Sequence, residues 1–402
     1  MDLGKYRRRK SVVYLSTFSM DLALGLFLIM ATLQVDALAT QTGTDRSAAA
    51  GLLGLSFLLM RLFLHFIAGH ISDFLGRKAL LLAAVGMQAA AFLFVPFSRE
   101  PWHLLPGYLL AGLAASVYWP VMEGWMSEDV EGADLMHAAG AFNIAFSSGL
   151  AMGPLVKVMA NHAGLGATMM IGILVCAITA ALLMARPHIK PALVRNHVHE
   201  EGFDAHPLFN PVFIYLAFLA NMAAWTVVGT QRFLFPALAR GVGISERNTA
   251  LLVGIFYGGM PLIFVFLKYW HGWQYKLWTL LFWHILGIVG LLGIYATAST
   301  AGLGVWMLLL GVYVGGCYFA SMFYALDGVD AKGRRGGMHE TVLTIGMLAG
   351  LGLSTYVAHR IGFRAPFPML AAIVLLAGLA EVAIFLRYAK KTVPAAPASR
   401  SV

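Results

Sequence analysis

Charge is scarce in this sequence. Asp, Glu, Lys and Arg together supply 12% of its 402 residues, about half the share of an ordinary water-soluble domain. Such a chain has too little polar surface to coat a globule of this size in water, which excludes an aqueous fold. Cysteine is nearly missing. The two present, Cys176 and Cys317, lie inside apolar runs, so neither a disulfide framework nor a cysteine-based metal site is expected. Enzyme signatures are missing too. G-x-S-x-G, a P-loop and H-E-x-x-H do not occur, so the chain reads as no enzyme, with no cofactor, no metal and no direct drive by ATP.

What is present is apolar: 59% of residues are hydrophobic and the mean hydropathy is +0.76. A membrane-crossing helix takes roughly 20 apolar residues. Twelve stretches qualify, at 12–34, 47–69, 79–97, 103–126, 136–160, 165–185, 210–236, 248–267, 277–296, 302–325, 339–358 and 367–387. The first is too long for the apolar core of a signal peptide, so it is expected to be a span and no cleavable leader is expected. The longest link, 186–209, is rich in His, Arg and Pro and divides the spans six and six. The expected organisation is an N-terminal six-helix bundle over 1–185, a central loop over 186–209, and a second six-helix bundle with a short tail over 210–402.

Basic residues orient the chain. With both termini in the cytoplasm, nineteen of the 28 Lys and Arg residues fall on the inner side and six on the outer side. This accounts for the net charge of +9 as a topology signal, with no nucleic acid partner. Short loops and a bare N-terminus suggest a bacterial cell (inner) membrane. The expected partners are membrane lipids, a small-molecule substrate and protons, and the chain is expected to be a monomer. A faint repeat is visible as well. Leu109, Leu110, Tyr118, Trp119 and Met122 match Leu309, Leu310, Tyr318, Phe319 and Met322 at a shift of 200, and Met136-His137 matches Met338-His339.

Between spans 2 and 3 stand Gly69, Asp73, Gly76, Arg77 and Lys78 in the pattern G-x3-D-x2-G-R-K. This short inner loop resembles the signature loop of the major facilitator superfamily, and the twelve spans, the six-plus-six division and the central inner loop agree with it. The resemblance implies an all-α polytopic membrane fold of two pseudo-repeat bundles. It also implies a secondary transporter that works by alternating access, with its site between the bundles. In that family the loop aspartate meets the start of span 11, which places Asp73 near 337–341, where the helix dipole favours an anion. Arg77 would meet a carboxylate at the inner end of span 4, either Glu123 or Glu128. Gly69 permits close helix contact and Gly76 a tight turn. These contacts form a conformational latch, or else the loop is a basic turn that only sets topology. The corresponding loop of the second half, 268–276, lacks the aspartate and the G-R-K, so an inner latch is one-sided. In span 5, Gly140, Gly149, Gly153 and Pro154 resemble the antiporter signature of the same superfamily, but Lys157 and Val158 stand where that pattern has paired glycines. Read without the resemblance, these small residues allow close packing and Pro154 kinks the helix.

An ionisable side chain inside a span costs about 2.5–3.5 kcal/mol on insertion scales, so each asks for a partner or a role. Asp21 in span 1 and Arg61 in span 2 lie at matching depths of about 13 and 12 Å, which predicts an ion pair, with His65 one turn from Arg61 on the same face. The group would bind a charged solute, carry a proton, or only join spans 1 and 2. Tyr118, Trp119, Asn143, Asn221, Trp225, Gln231 and Tyr257 are expected to line a cavity. Lys157 and Arg232 near outer span ends are expected to snorkel, unless Arg232 meets an anion outside. His284 is expected to be a packed histidine, whereas Glu381 in span 12 has no account beyond a helix–helix hydrogen bond. Tyr269, Trp270, Trp273, Tyr275 and Trp278 are expected to form an interfacial belt. For the solute, the span 5 pattern and the aromatic candidates suggest efflux of an amphiphilic compound. Arg61 and Arg232 suggest uptake or exchange of a small anionic metabolite. A non-transporting sensor or assembly partner is the rival of another class.

Overall fold

The structure is a computed structural model. It describes residues 3–126, 132–185, 210–270, 272–326 and 332–392, with side chains described except at 3–10, 65–75, 132–136, 161, 326, 332–337 and 389–392. The central loop, Glu128 and the last ten residues lie outside the described residues, as do the side-chain placements of His65, Gly69 and Asp73.

The first half comprises α1 (Leu3–Thr42), α2 (Arg46–Leu75), α3 (Arg77–Leu93), α4 (Leu105–Met126), α5 (Gly132–Met159) and α6 (Gly164–Met184). The second begins with α7 (Val212–Gly229), a π-helical turn at Thr230–Leu234 and α8 (Phe235–Gly241), which together make one span. It continues with α9 (Glu246–Tyr269), α10 (Leu277–Ala296), α11 (Thr300–Leu326), α12 (Lys332–Arg360) and α13 (Pro366–Thr392). Among the described residues eleven stretches are long and apolar enough to cross a membrane. The remaining predicted span, α3, has 17 residues.

Local chemistry sets the breaks. α1 runs past its expected end at 34 because no Gly or Pro interrupts it before Gly43, whose φ is +70°. Asp45 caps α2, its side chain accepting from the Ala48 amide at 2.7 Å. Gly76, at φ +84°, turns the chain between α2 and α3, a conformation that glycine adopts without steric cost. α3 ends short of its expected limit of 97 because Pro96 disfavours helix in the residue before it.

Within the first half, α1 packs on α5 and α6, α2 on α4, and α3 on α4 and α6. In the second, α7 packs on α11, α12 and α13, α9 on α11, and α10 on α11 and α13. The two sets meet along α5 with α9 and α2 with α12. The closest helix contacts recur in both sets. A Cβ on Gly153 would strike the backbone of Leu26 on α1, and one on Gly350 would strike Thr226 on α7. Gly112 of α4 lies against the Phe57 carbonyl, and Gly311 of α11 lies against the Phe256 carbonyl. Repeated backbone-to-backbone contact at a shift near 200 residues makes the faint sequence repeat physical. Outward-facing apolar side chains gather on helices that a bilayer would surround: Met170, Leu174 and Ile178 on α6, Ile285, Val289 and Leu292 on α10, Leu375, Leu376 and Leu379 on α13.

The aromatic belt is smaller than expected. Tyr269, Trp270 and Trp278 are exposed, but Trp273 is buried against Phe319, Phe323 and Tyr324. The turn that carries it folds back onto α11, and Tyr275 holds a φ of +52° while its amide donates to the Tyr324 hydroxyl at 2.8 Å.

The α1–α5 contact should be intolerant of bulk. Gly153→Val should cost on the order of 2 kcal/mol through overpacking, read as a lower melting temperature in detergent. Gly166→Val on α6, where an added Cβ meets nothing within 4 Å, should be neutral or raise the melting temperature slightly, because valine prefers the helix to glycine by less than about 1 kcal/mol.

Candidate solute and proton site

The seam between the two sets of helices holds most of the buried charge. Arg61 on α2 points to α12, and its Nη2 donates to Glu340 Oε2 at 2.8 Å with both side chains buried. The expected Asp21–Arg61 ion pair is therefore not formed. Matching depth fixed the level of the two residues but not their azimuth: α2 presents this face to α12, whereas Asp21 packs against Gly149 of α5. Glu340 was missed. It lies one residue past the Met338-His339 echo, at the edge of a predicted span, where a carboxylate attracts no notice.

Asp21 is 1% exposed, and neither carboxylate oxygen has a hydrogen-bond partner. The positive charges acting on it are Arg232 and, less strongly, Arg61. Arg232 corrects a second expectation. It does not snorkel but is buried, donating from Nε to Tyr257 Oη at 2.9 Å, with its Cζ 6.0 Å from the Trp225 ring and 5.7 Å from the Tyr257 ring. Two features explain this. Helical side chains lean toward the helix N-terminus, which carries Arg232 back toward Trp225, and the π turn shifts its register. Lys157, also expected to snorkel, is buried too. Its place on α5, the helix packed on both α1 and α9, keeps it from the periphery.

The other expected lining residues gather along the same seam. Trp119 packs edge-on against Phe142 and Phe146 at 5.6 and 5.3 Å, and Tyr118 lies beside it. Phe146 reaches across to Phe264 and Tyr318, and Tyr318 contacts Trp225 and His339. Asn143 Nδ2 approaches Met322 Sδ at 3.2 Å. Asn221 and Gln231 are buried with both atoms of each amide unpartnered. Phe146, Phe264 and Tyr318 were not expected here, because an aromatic residue in an apolar span gives no sign of which way it faces.

The latch residues are partly described. Arg77 lies against Gly124 at the end of α4, and Lys78 Nζ donates to the Met184 carbonyl at 3.0 Å, closing the end of α6. Glu123, expected as a partner of Arg77, lies in the electrostatic field of Arg61 and Glu340. Gly149, Gly153 and Pro154 sit where α5 touches α1.

At the opposite end of the seam a second set of pairs joins the halves. Buried Asp36 of α1 meets Arg240 of α8 at 3.1 Å and Arg46 of α2 at 3.6 Å. Asp45 meets His359 of α12 at 2.9 Å. Partial burial works against ionisation of Asp45, but the Ala48 amide and His359 prevail and hold its carboxyl below the usual carboxylate range. Away from the seam, His284 of α10 and Glu381 of α13 share a buried 2.7 Å hydrogen bond, which gives Glu381 the partner its sequence could not name.

Comparisons with known proteins agree with this architecture. The family model described as Major Facilitator Superfamily matches residues 13–338. An uncharacterised MFS-type transporter of Bacillus subtilis, YhjO, is 29% identical over 102 residues, 25% of each chain. A Na(+), Li(+), K(+)/H(+) antiporter of Planococcus maritimus is 26% identical over 113 residues, 26% of this chain and 27% of that one. The chain thus aligns with about a quarter of the length of these curated relatives. The human organic anion transporter MFSD10 (TETRAN) superposes with a TM-score of 0.67 at 17% identity, covering 93% of this chain and 99% of that one. The nucleoside transporter NupG gives 0.65 at 16% identity, covering 94% and 99%. At these identities the structural likenesses establish the fold alone.

Two outcomes follow from the pairs. Arg61→Met or Glu340→Met alone should cost about 3–5 kcal/mol by stranding a buried charge, and the Arg61→Met/Glu340→Met double variant should recover most of it. Additive losses in a double-mutant cycle of melting temperatures would mean the pair does not interact. Asp45→Ala should cost about 1 kcal/mol through the lost cap. Because the folded carboxyl titrates below its unfolded value of about 4, that difference should shrink as the pH falls below ~4.

Proposed function

The chain belongs to the major facilitator superfamily, and from that premise we propose that it moves a small solute by alternating access, coupled to protons through Asp21. It is a secondary transporter and not an enzyme. The finer reading rests on one observation: a buried carboxylate on the seam that lacks a hydrogen-bond partner and feels one arginine from each half. A carboxylate in that position exchanges a proton and senses solute, because whatever reaches either arginine changes its field. We take 1–185 and 210–402 as the two moving bodies, joined by 186–209. The pairs at either end of the seam are then what rocking breaks and remakes. We place the basic loop and both termini in the cytoplasm of a cell (inner) membrane, by the bias of basic residues, and take the protein to act as a monomer.

The aromatic group of Trp119, Phe142, Phe146, Phe264 and Tyr318 favours a solute with an apolar body. This supports efflux of an amphiphilic compound, as does the proton-linked antiport named for the Planococcus relative. The two structural neighbours carry different named solutes on one fold, so the choice of solute belongs to side chains and not to the architecture.

In proteoliposomes loaded with a panel of lipophilic cations and organic acids, an imposed pH gradient should drive flux of at least one member. Asp21→Asn should abolish gradient-driven accumulation and retain solute exchange at equal pH. Undiminished gradient-driven accumulation in Asp21→Asn would end the proton role.

A further inference from the structure

Arg232 is a buried guanidinium that makes no ion pair among the described residues. Among the described residues no carboxylate comes within salt-bridge distance of it. Its contacts are the Tyr257 hydroxyl at 2.9 Å, Met347 Sδ at 4.0 Å, and the faces of Trp225 and Tyr257. Arg61, equally buried, has Glu340. A cation removed from water is held at a cost that an anion relieves. Unmet hydrogen-bonding capacity lies on the same span. Trp225 lies one turn beyond Asn221, and Arg232 follows two turns later within the π turn. The Trp225 Nε1 and both atoms of the Asn221 and Gln231 amides are buried without partners. Nε of Arg232 is committed to Tyr257, which leaves its Nη edge, and a planar guanidinium edge suits a planar carboxylate through two parallel hydrogen bonds.

The charge arithmetic then involves Asp21. With Asp21 ionised, its charge and that of Arg232 offset each other across the seam, and an arriving anion leaves the buried site at net −1. With Asp21 protonated, anion and guanidinium sum to zero. Net charge is expensive in a low-dielectric interior, so the anion and the proton fill the site together.

We propose that the seam holds an organic-anion subsite centred on Arg232. It takes a small monocarboxylate whose flat apolar body lies against Trp225 and Tyr257, and it fills together with a proton on Asp21. This rests on the proton coupling through Asp21 proposed above, names the solute class, and has anion and proton move together in place of exchange against protons.

The test is made on purified full-length protein without any gradient. Benzoate, salicylate and indole-3-acetate are the probes, with benzamide and benzylamine as neutral and cationic counterparts of benzoate. Binding is read by calorimetry and melting temperature, and proton exchange by pH change in weak buffer. At least one carboxylate should bind, with about one proton taken up per anion near neutral pH, while the amide and the amine do not. Arg232→Gln should weaken carboxylate binding by about tenfold or more. Arg232→Lys, which keeps the charge and guards against loss of fold, should keep the preference for carboxylate over amide. Asp21→Asn should keep anion binding and lose the proton uptake. Carboxylates binding no better than benzamide, unchanged affinity in Arg232→Gln, or proton uptake that persists in Asp21→Asn would each overturn the proposal. Gradient-driven flux of another solute, with no carboxylate binding, removes the solute class and leaves the transporter. Carboxylate binding as expected, with no flux in vesicles, removes the transport reading and leaves the site.

Discussion

A charge buried in hydrocarbon must find its opposite, and here the opposites sit on different halves of the chain. Arg61 and Glu340 pair between α2 and α12, and Asp36 and Arg240 pair between α1 and α8. The two pairs lie at different levels of the seam. Asp21, at the level of Arg61, and Arg232 face the same seam, close enough to act on each other and not hydrogen-bonded to each other. Among the described residues Arg61 and Asp36 are matched by ion pairs, whereas Asp21, Arg232 and Lys157 are buried without one.

The helices that carry these charges are held rigidly within each half. α1 and α5 approach at Gly149 and Gly153 until backbone meets backbone, and α7 and α12 do the same at Gly346 and Gly350. In lipid, where no hydrophobic effect drives helices together, such close packing supplies the adhesion. It also fixes Asp21 on α1 and Arg232 beyond α7. Across the seam, Gly51 and Gly54 of α2 meet side chains of α12, Thr355 and Leu351, instead of its backbone.

The sequence resolved what depends on length, composition and periodicity. Spans, loops and the basic loop at Gly76 stand close to where they were expected, because roughly 20 apolar residues and a positive φ leave few alternatives. Partners were harder. Asp21 and Arg61 share a depth, yet a helix rises through every azimuth in one turn, and which face meets which neighbour is a tertiary fact. Arg232 was misplaced because a π turn, invisible in composition, changes the register after Gly229. Trp273 was assigned to a lipid interface because position along the chain does not reveal that its turn folds inward. Asp36 went unnoticed beyond a predicted helix end that the real helix passes.

Opening such a seam costs least where a buried charge keeps a partner on its own half, and Asp36 and Arg61 each have such a neighbour. Asp36 has Arg240 across the seam and Arg46 at 3.6 Å on its own half. When α8 moves away, Arg46 remains to compensate Asp36, while Glu246, in the same electrostatic group and on the half of Arg240, remains for that arginine. At the other end Arg61 has Glu340 across the seam and Glu123 on its own half. Separation there exchanges one carboxylate for another around the same guanidinium. The two buried crossing pairs are thus backed by a neighbour that would travel with one member, so Asp36 and Arg61 would exchange partners instead of losing them. A lost buried pair costs several kcal/mol and an exchanged one far less, which keeps two arrangements of the same helices within the narrow energy range that alternation between them needs.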